Sequence, residues 1–267
     1  MRQRRVDKKK FIRFILIVLF AAALVFGIVS SLNSMSERTL KIGLSESNRP
    51  LTYLDERKNI SGFEAEYAKM LAESLGKKPD IKLYDPEDMA DALDSGAVDC
   101  VVSVRQSVHD YIIGAFETEP FISYGLVFIK SPSDDSFDGE DDIRGKRAGL
   151  IVNSDAEALC EDLLGKYAFN VRLYDFEVQP FQDLKLKKND FVIADELFAR
   201  FMQMEDPESF HVLDTIYNMS GFGVRLSRKL TRQAAYEIED AVYELRSEAA
   251  LSDLFIKWFD ADLGYTG

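Results

Sequence analysis

Ser103-Val-Arg-Gln106 places a hydroxyl, a guanidinium and an amide within four positions, a donor set suited to a small polar molecule. The residues just before it, Cys100-Val-Val, are too few and too β-branched for a helix and read as a short buried strand. Upstream, Met89, Ala92 and Leu93 share one helical face, and Gly96 can take the left-handed cap. A helix feeding a buried strand through a glycine turn is half of a βαβ unit, whose ligands collect beyond the strand's carboxyl end. Ser103, Arg105 and Gln106 are therefore expected at a binding edge; the plain alternative is an α/β turn with a solvated arginine. A second polar group, Ser154-Asp-Ala-Glu157, has the spacing of a capping box. The two cysteines (Cys100, Cys160) and two histidines (His109, His211) are dispersed, so two separate buried thiols are expected rather than a disulfide or a zinc site. No cofactor is expected.

The elements that must position these residues alternate along the chain, and the fold class is α/β. Leu40–Leu44 and Ile81–Tyr84 read as strands, and Ser45–Ser61 as a loop. Between them lies an amphipathic helix with Phe63, Tyr67, Met70, Leu71 and Leu75 on one face. Pro120–Ile129 is a longer apolar strand, and the acidic, turn-rich Ser131–Asp142 after it marks a lobe boundary. The alternation restarts with strand Arg147–Val152, helix Ser154–Tyr167, strand Val171–Tyr174, a helix near Pro180–Lys187 and strand Asp190–Ala194. Phe222–Leu226 reads as a last strand before two amphipathic helices.

The formal charge of −13 over 267 residues is unevenly spread. Residues 1–13 hold seven basic side chains against Asp7, a net of +6, so the remainder carries −19. A body of that charge repels nucleic acid and anionic lipid, which excludes a nucleic-acid partner. An apolar run, Phe14–Val29, follows the basic cluster. It reads either as a cleaved signal or as a retained transmembrane anchor; the absence of an Ala-x-Ala site at its exit favours the anchor. Both readings put the acidic body on the extracytoplasmic face.

Five stretches in order carry a resemblance. They are Gly62-Phe-Glu-Ala-Glu66, Ala92-Leu-Asp-Ser-Gly-Ala-Val-Asp99, Ile143-Arg-Gly-Lys-Arg-Ala-Gly149, Lys188-Asn-Asp-Phe-Val-Ile-Ala-Asp195 and Ile256-Lys-Trp-Phe259. Over about Leu40 to Phe259 the chain resembles the extracytoplasmic solute-binding proteins of the amino-acid-binding family. The resemblance implies a two-lobed type II periplasmic-binding-protein fold. Residues 40–127 and 218–267 would form lobe 1 and residues 128–217 lobe 2, with residues 1–35 the basic end and membrane or signal segment. Crossings near Gly125–Ile129 and Leu213–Phe222 would be the hinges. Gly125, Gly221 and Gly223 suit that role, or equally mark close backbone approach.

In the family an acidic residue pairs with the ligand's ammonium and an arginine clamps its carboxylate. Asp195 matches the acid, although it could also be a helix cap; Ser154 matches the second-lobe hydroxyl at a helix N-terminus. The family's arginine position falls on Tyr111, so Arg105, with Ser103 and Gln106 beside it, is expected to substitute. Leu51 stands where an aromatic often stacks, and Tyr53 is the nearest ring. Asp155 adds negative charge where a carboxylate should sit. The implied function is capture of a small polar solute, an amino acid or related amine, for an ABC-type importer, with its permease as partner. The alternative is a divergent accessory or sensory protein with altered or lost binding. An enzyme is not expected, because the sequence offers no histidine dyad or metal set.

Overall fold

The computed structural model describes residues 39–47, 49–105, 109–112 and 115–264. The apolar run Phe14–Val29 lies outside them, and among the described residues no helix is long and apolar enough to cross a membrane. Two sheets organise the chain. In the first, β1 (Thr39–Ser45) runs parallel to both β4 (Lys78–Tyr84) and β5 (Cys100–Val102). β13 (Val224–Leu226) and β6 (Phe116–Glu117) add antiparallel beyond β5.

The core of this lobe follows from side-chain spacing. Leu40, Ile42 and Leu44 alternate down β1, and α1 (Phe63–Ser74) buries Phe63, Tyr67 and Leu71 at helical intervals. Tyr67 stacks on Phe121 at 3.9 Å between centroids, while Phe63 meets Phe255 at 5.5 Å and Phe259 at 5.1 Å. Those two rings belong to α6 (Ala249–Phe259), so the last helix among the described residues closes this core. Gly62 opens α1 at φ 116°, where a Cβ would lie 1.9 Å from the Leu51 carbonyl oxygen, and only glycine fits. α2 (Met89–Ser95) ends on Gly96 at φ 77°, and Asp99 accepts from the Lys41 amide at 2.9 Å, tying β5 to β1.

The second sheet has the order β11-β7-β10-β8-β9, with β12 also paired to β7. Its strands are β7 (Ile122–Lys130), β8 (Arg147–Ile151), β9 (Asn170–Tyr174), β10 (Phe191–Asp195), β11 (His211–Val212) and β12 (Tyr217–Phe222). Both faces are covered, so the central strands are apolar in unbroken runs. Leu126, Phe128, Phe191 and Ile193 pack against α3 (Asp155–Leu164), while Val127, Ile129 and Val192 face α4 (Val178–Lys185) and α5 (Glu196–Glu205). The acidic segment after β7 folds back on its last residue: the buried Lys130 ammonium donates to Asp138 at 2.6 Å and to the Asp134 carbonyl at 3.0 Å. Cys100 and Cys160 are both buried and free.

Three differences from the sequence reading have physical causes. Phe222–Leu226 is not one strand: the chain leaves β7 after Phe222 and joins the other sheet at Val224. It turns at Gly223, where a Cβ would sit 2.4 Å from the Thr118 carbonyl. Within Ser45–Ser61 a small hairpin, β2 (Tyr53–Leu54) with β3 (Ile60–Ser61), forms because the Asp55 side chain accepts from the Arg57 and Asn59 amides. The capping box is also not made. Ser154 Oγ donates to the Ile151 carbonyl at 2.7 Å, and Glu157 accepts from the Asn153 amide at 2.7 Å.

β7 and β12 run antiparallel from one core to the other. Ile122, Tyr124 and Phe222 belong to the first cluster, and Leu126 and Phe128 to the second, with Tyr217 packed against it. Gly125 lies opposite a bulge in β12 between Tyr217 and Ser220, and a Cβ there would come 2.2 Å from the Tyr217 carbonyl. Gly125→Ala should therefore destabilise by about 1–3 kcal/mol. That loss corresponds to a Tm fall of roughly 2–4 °C per kcal/mol for a chain of this size, read by thermal unfolding. An unchanged Tm would show that the strands part without cost.

Candidate functional site

Between the lobes lies a cavity of about 640 Å³, within the ordinary range for small-ligand sites. Its walls come from both sheets: Arg105, Asp110 and Phe222 from the first lobe's side, Ser154, Asp155, Glu177 and Asp195 from the second, with Tyr124 on the connecting strand β7. Of the residues singled out by sequence, the structure thus brings Arg105, Ser154, Asp155 and Asp195 to one cavity. Two lie elsewhere. Ser103 is fully buried behind the wall, its hydroxyl accepting from the Arg105 amide at 3.2 Å. Tyr53 sits in the β2–β3 hairpin with its ring edge against Trp258 at 6.5 Å and the Arg49 guanidinium over it at 4.7 Å. Gln106 lies outside the described residues.

Arg105 is carried on a turn held from four directions. The Val104 amide donates to Glu64 Oε1 at 2.9 Å, and the Tyr124 hydroxyl donates to the Val104 carbonyl. His109 Nε2 bonds the Ser103 carbonyl at 2.7 Å, and the His109 amide donates to the Arg105 carbonyl at 3.2 Å. The histidine's tautomer follows from its partners. A carbonyl only accepts, so Nε2 carries the proton; Nδ1 then accepts from Arg225 Nε at 3.1 Å. Burial holds the imidazole below its ordinary range, which suits that neutral form. Arg225 in turn pairs with Glu117 at 3.0 Å.

Glu64 is the residue that reasoning from spacing did not assign to the site. It is fully buried, takes a 2.5 Å bond from the Thr52 hydroxyl besides that from Val104, and feels the positive charge of Arg105. Burial pushes its carboxyl up, against those two bonds. The signal that could have found it is the Gly62-Phe-Glu64 stretch: a glutamate on the apolar face of α1 must be bonded to something.

Asp195 ends β10 and begins α5. Its Oδ1 accepts from the Leu197 amide at 2.8 Å and the Phe198 amide at 3.2 Å, so it is the helix cap as well as a wall residue. Burial, with Glu177 and Glu196 adding to it, pushes its carboxyl up to about 7 despite both cap bonds. Tyr124 is pushed well up by burial, helped by the negative charges of Asp195, Glu64 and Asp155. The interior of this cleft is thus short of positive charge.

An acid whose folded pKa is raised costs stability only when ionised. For Asp195 the cost is absent below the ordinary 3.8, grows as pH rises, and is complete above about 7. Asparagine keeps the Oδ1 acceptor for the cap without the charge. Asp195→Asn should therefore be more stable than the parent at pH 8, by on the order of 1–3 kcal/mol, the gap closing toward pH 4. Urea unfolding across that range checks it; a parent more stable at pH 8 would mean that the ionised cap is worth more than its burial costs.

Comparison with known proteins agrees with this architecture. The model of the bacterial extracellular solute-binding proteins, family 3, matches residues 40–261. The L-cystine-binding protein of Escherichia coli K12 is 29% identical over 240 residues, covering 87% of each chain. The arginine-binding extracellular protein of Bacillus subtilis is 24% identical over 254 residues, 92% of this chain and 98% of that one. Among solved structures, the L-cystine solute receptor of Neisseria gonorrhoeae in its unliganded open conformation superposes with a TM-score of 0.73 at 18% identity, covering 88% of this chain and 98% of that one. With two lobes joined by β7 and β12 around a cavity of ligand size, and a family match spanning nearly all of the acidic body, the chain belongs to the family 3 bacterial extracellular solute-binding proteins.

Proposed function

We propose that this solute-binding protein captures an amino acid or related amine between its lobes and delivers it to the permease of an ABC-type importer. The observation that carries the reading is that Arg105 and Asp195, brought from the two sheets, line one cavity from its two sides. Asp195 receives the ligand's ammonium at the N-terminus of α5, and Arg105 donates to its carboxylate. Rotation about β7 and β12 closes the lobes on it. The relatives named above bind amino acids, which supports the same class of solute.

Isothermal titration calorimetry of the full chain against the amino acids tests this. Removing one partner of a desolvated charge pair costs about 2–5 kcal/mol, so Asp195→Ala and Arg105→Ala should each weaken binding by roughly 30-fold or more. Because Asp195 titrates near 7, pairing it with an ammonium at pH 6.5 releases a proton. Affinity should then rise with pH up to about 7, by at most about tenfold per pH unit. The proton count comes from repeating the titration in buffers of different ionisation enthalpy. Zero released protons would remove Asp195 from the contact.

A second reading, a divergent accessory or sensory protein, is favoured by Ser154 and Asp155. The hydroxyl is already given to Ile151, and a carboxylate stands beside it. Failure of every amino acid and amine to bind would select that reading. We further propose that Phe14–Val29 is retained as an anchor that holds the body on the extracytoplasmic face, since its exit lacks a cleavage motif. Intact mass of membrane-extracted protein should match the full chain; a mature start between Ser30 and Ser36 would overturn the anchor.

A further inference from the structure

One histidine holds the carbonyls on either side of the Val104–Arg105 pair. His109 Nε2 donates to the Ser103 carbonyl at 2.7 Å, and the His109 amide donates to the Arg105 carbonyl at 3.2 Å. Three neighbours from other elements fix the ring. Arg225 on β13 donates to Nδ1 at 3.1 Å from Nε and 3.0 Å from Nη2, and its Nη1 donates to the Ile112 carbonyl at 3.4 Å. Glu117 on β6 brings Oε1 to 3.5 Å from Nδ1, while its other oxygen pairs with Arg225 at 3.0 Å. Phe222 of β12 meets the ring edge-on at 5.2 Å. Asp110 adds a negative charge from the ring's own segment, so Arg225, Glu117 and Asp110 are the charged groups acting on the imidazole.

This arrangement works for one proton count. With a single proton, on Nε2, the imidazole offers an N–H to Ser103 and a lone pair to Arg225. A second proton goes to Nδ1, where it meets a guanidinium that has donors and no acceptor. Two cations then face each other at hydrogen-bond distance, and the acceptor within reach of Nδ1 is Glu117 Oε1. Arg225 gives up the ring, and the ring turns toward Glu117 to keep its new proton bonded. Because the same ring holds the Ser103 carbonyl, that turn pulls on the backbone that carries Arg105. We infer that His109 is the positioning residue of Arg105: its neutral form holds the guanidinium where solute meets it, and its charged form releases the turn, so that acid weakens solute capture. The inference rests on Arg105 being a solute contact, as proposed above. Burial, helped by the charge of Arg225, holds the imidazole below its ordinary 6.5, so the neutral form prevails at neutral pH and the release falls on the acid side.

Imidazole NMR and calorimetry on the full chain in detergent make the test, with the twenty protein amino acids as probes. The chain has two histidines, so a His211→Asn variant leaves the His109 signals alone. At pH 7.5 these should show a single tautomer, protonated on Nε2. If the charged form binds solute at least about fivefold more weakly, then by linkage His109 titrates at a pH about 0.7 lower with solute bound. Glutamine can donate and accept side by side as the neutral imidazole does, and it does not titrate. Over the pH range in which His109 charges, the parent should therefore lose at least about fivefold more affinity than His109→Gln. Asp195 is common to both proteins, so its own titration cancels in that comparison. An equal loss of affinity in the two proteins, or a His109 that titrates at the same pH with and without solute, overturns the inference and leaves the amino-acid reading in place. Binding by none of the twenty sinks the amino-acid reading, and this inference with it.

Discussion

One buried carboxylate sets the geometry on which the cleft depends. Glu64 has no exposure, and an ionised or even a neutral carboxyl in that position is tolerable only if its oxygens are bonded. The bonds it makes go to Thr52 and to the Val104 amide, 12 and 40 residues away. The loop after β1 and the turn after β5 are thereby fixed to the same point of α1, and Arg105 leaves that turn toward the cavity. Tyr124 closes the arrangement from β7 by bonding the Val104 carbonyl. A group that does not line the cavity thus decides where the guanidinium stands. Its cost is part of the reason the surrounding segments have so little freedom.

The second constraint is how the lobes are joined. β7 and β12 pass through both cores as an antiparallel pair, so opening cannot shear them apart without breaking ladder bonds; it must bend them. The bulge at Asn218, with its positive φ of 50°, and the glycine opposite it are where the ladder is already irregular. A further link needs no chain crossing. Leu197, at the start of α5 in the second lobe, is buried in the first lobe's core, two residues beyond Asp195. Any motion of one lobe relative to the other acts on that helix start, where the cap and the cavity wall are the same side chain.

Much of this was legible in the sequence. The spacing of Phe63, Tyr67 and Leu71, the Gly96 cap and the short apolar strand after it specify the first lobe locally, because a period of 3.6 or 2 with a glycine stop has few other solutions. Asp195 at the end of Phe191–Ala194 was readable for the same reason. What was not legible was long-range. Nothing near Ser103 says that it is buried rather than part of the cavity wall, since the turn it begins is held by Glu64 from α1 and Tyr124 from β7. Tyr53 is near Leu51 in sequence, but the Asp55 turn carries its ring toward Trp258. The Ser154 capping pattern was correct as a helix start and misleading as a set of bonds, because the Ile151 carbonyl competes for the same proton.

Asp195 meets two demands that pull against each other. A helix cap is best served by a carboxylate that water can still reach, and a cavity wall between two lobes keeps water away from it. Here one aspartate is both the cap of α5 and part of the cavity wall, and the conflict appears as a carboxyl that burial raises to about 7 despite both cap bonds. The raised carboxyl is thus a cost already present in the cavity wall, and anything that lowers the burial of Asp195 or brings positive charge beside it would reduce that cost.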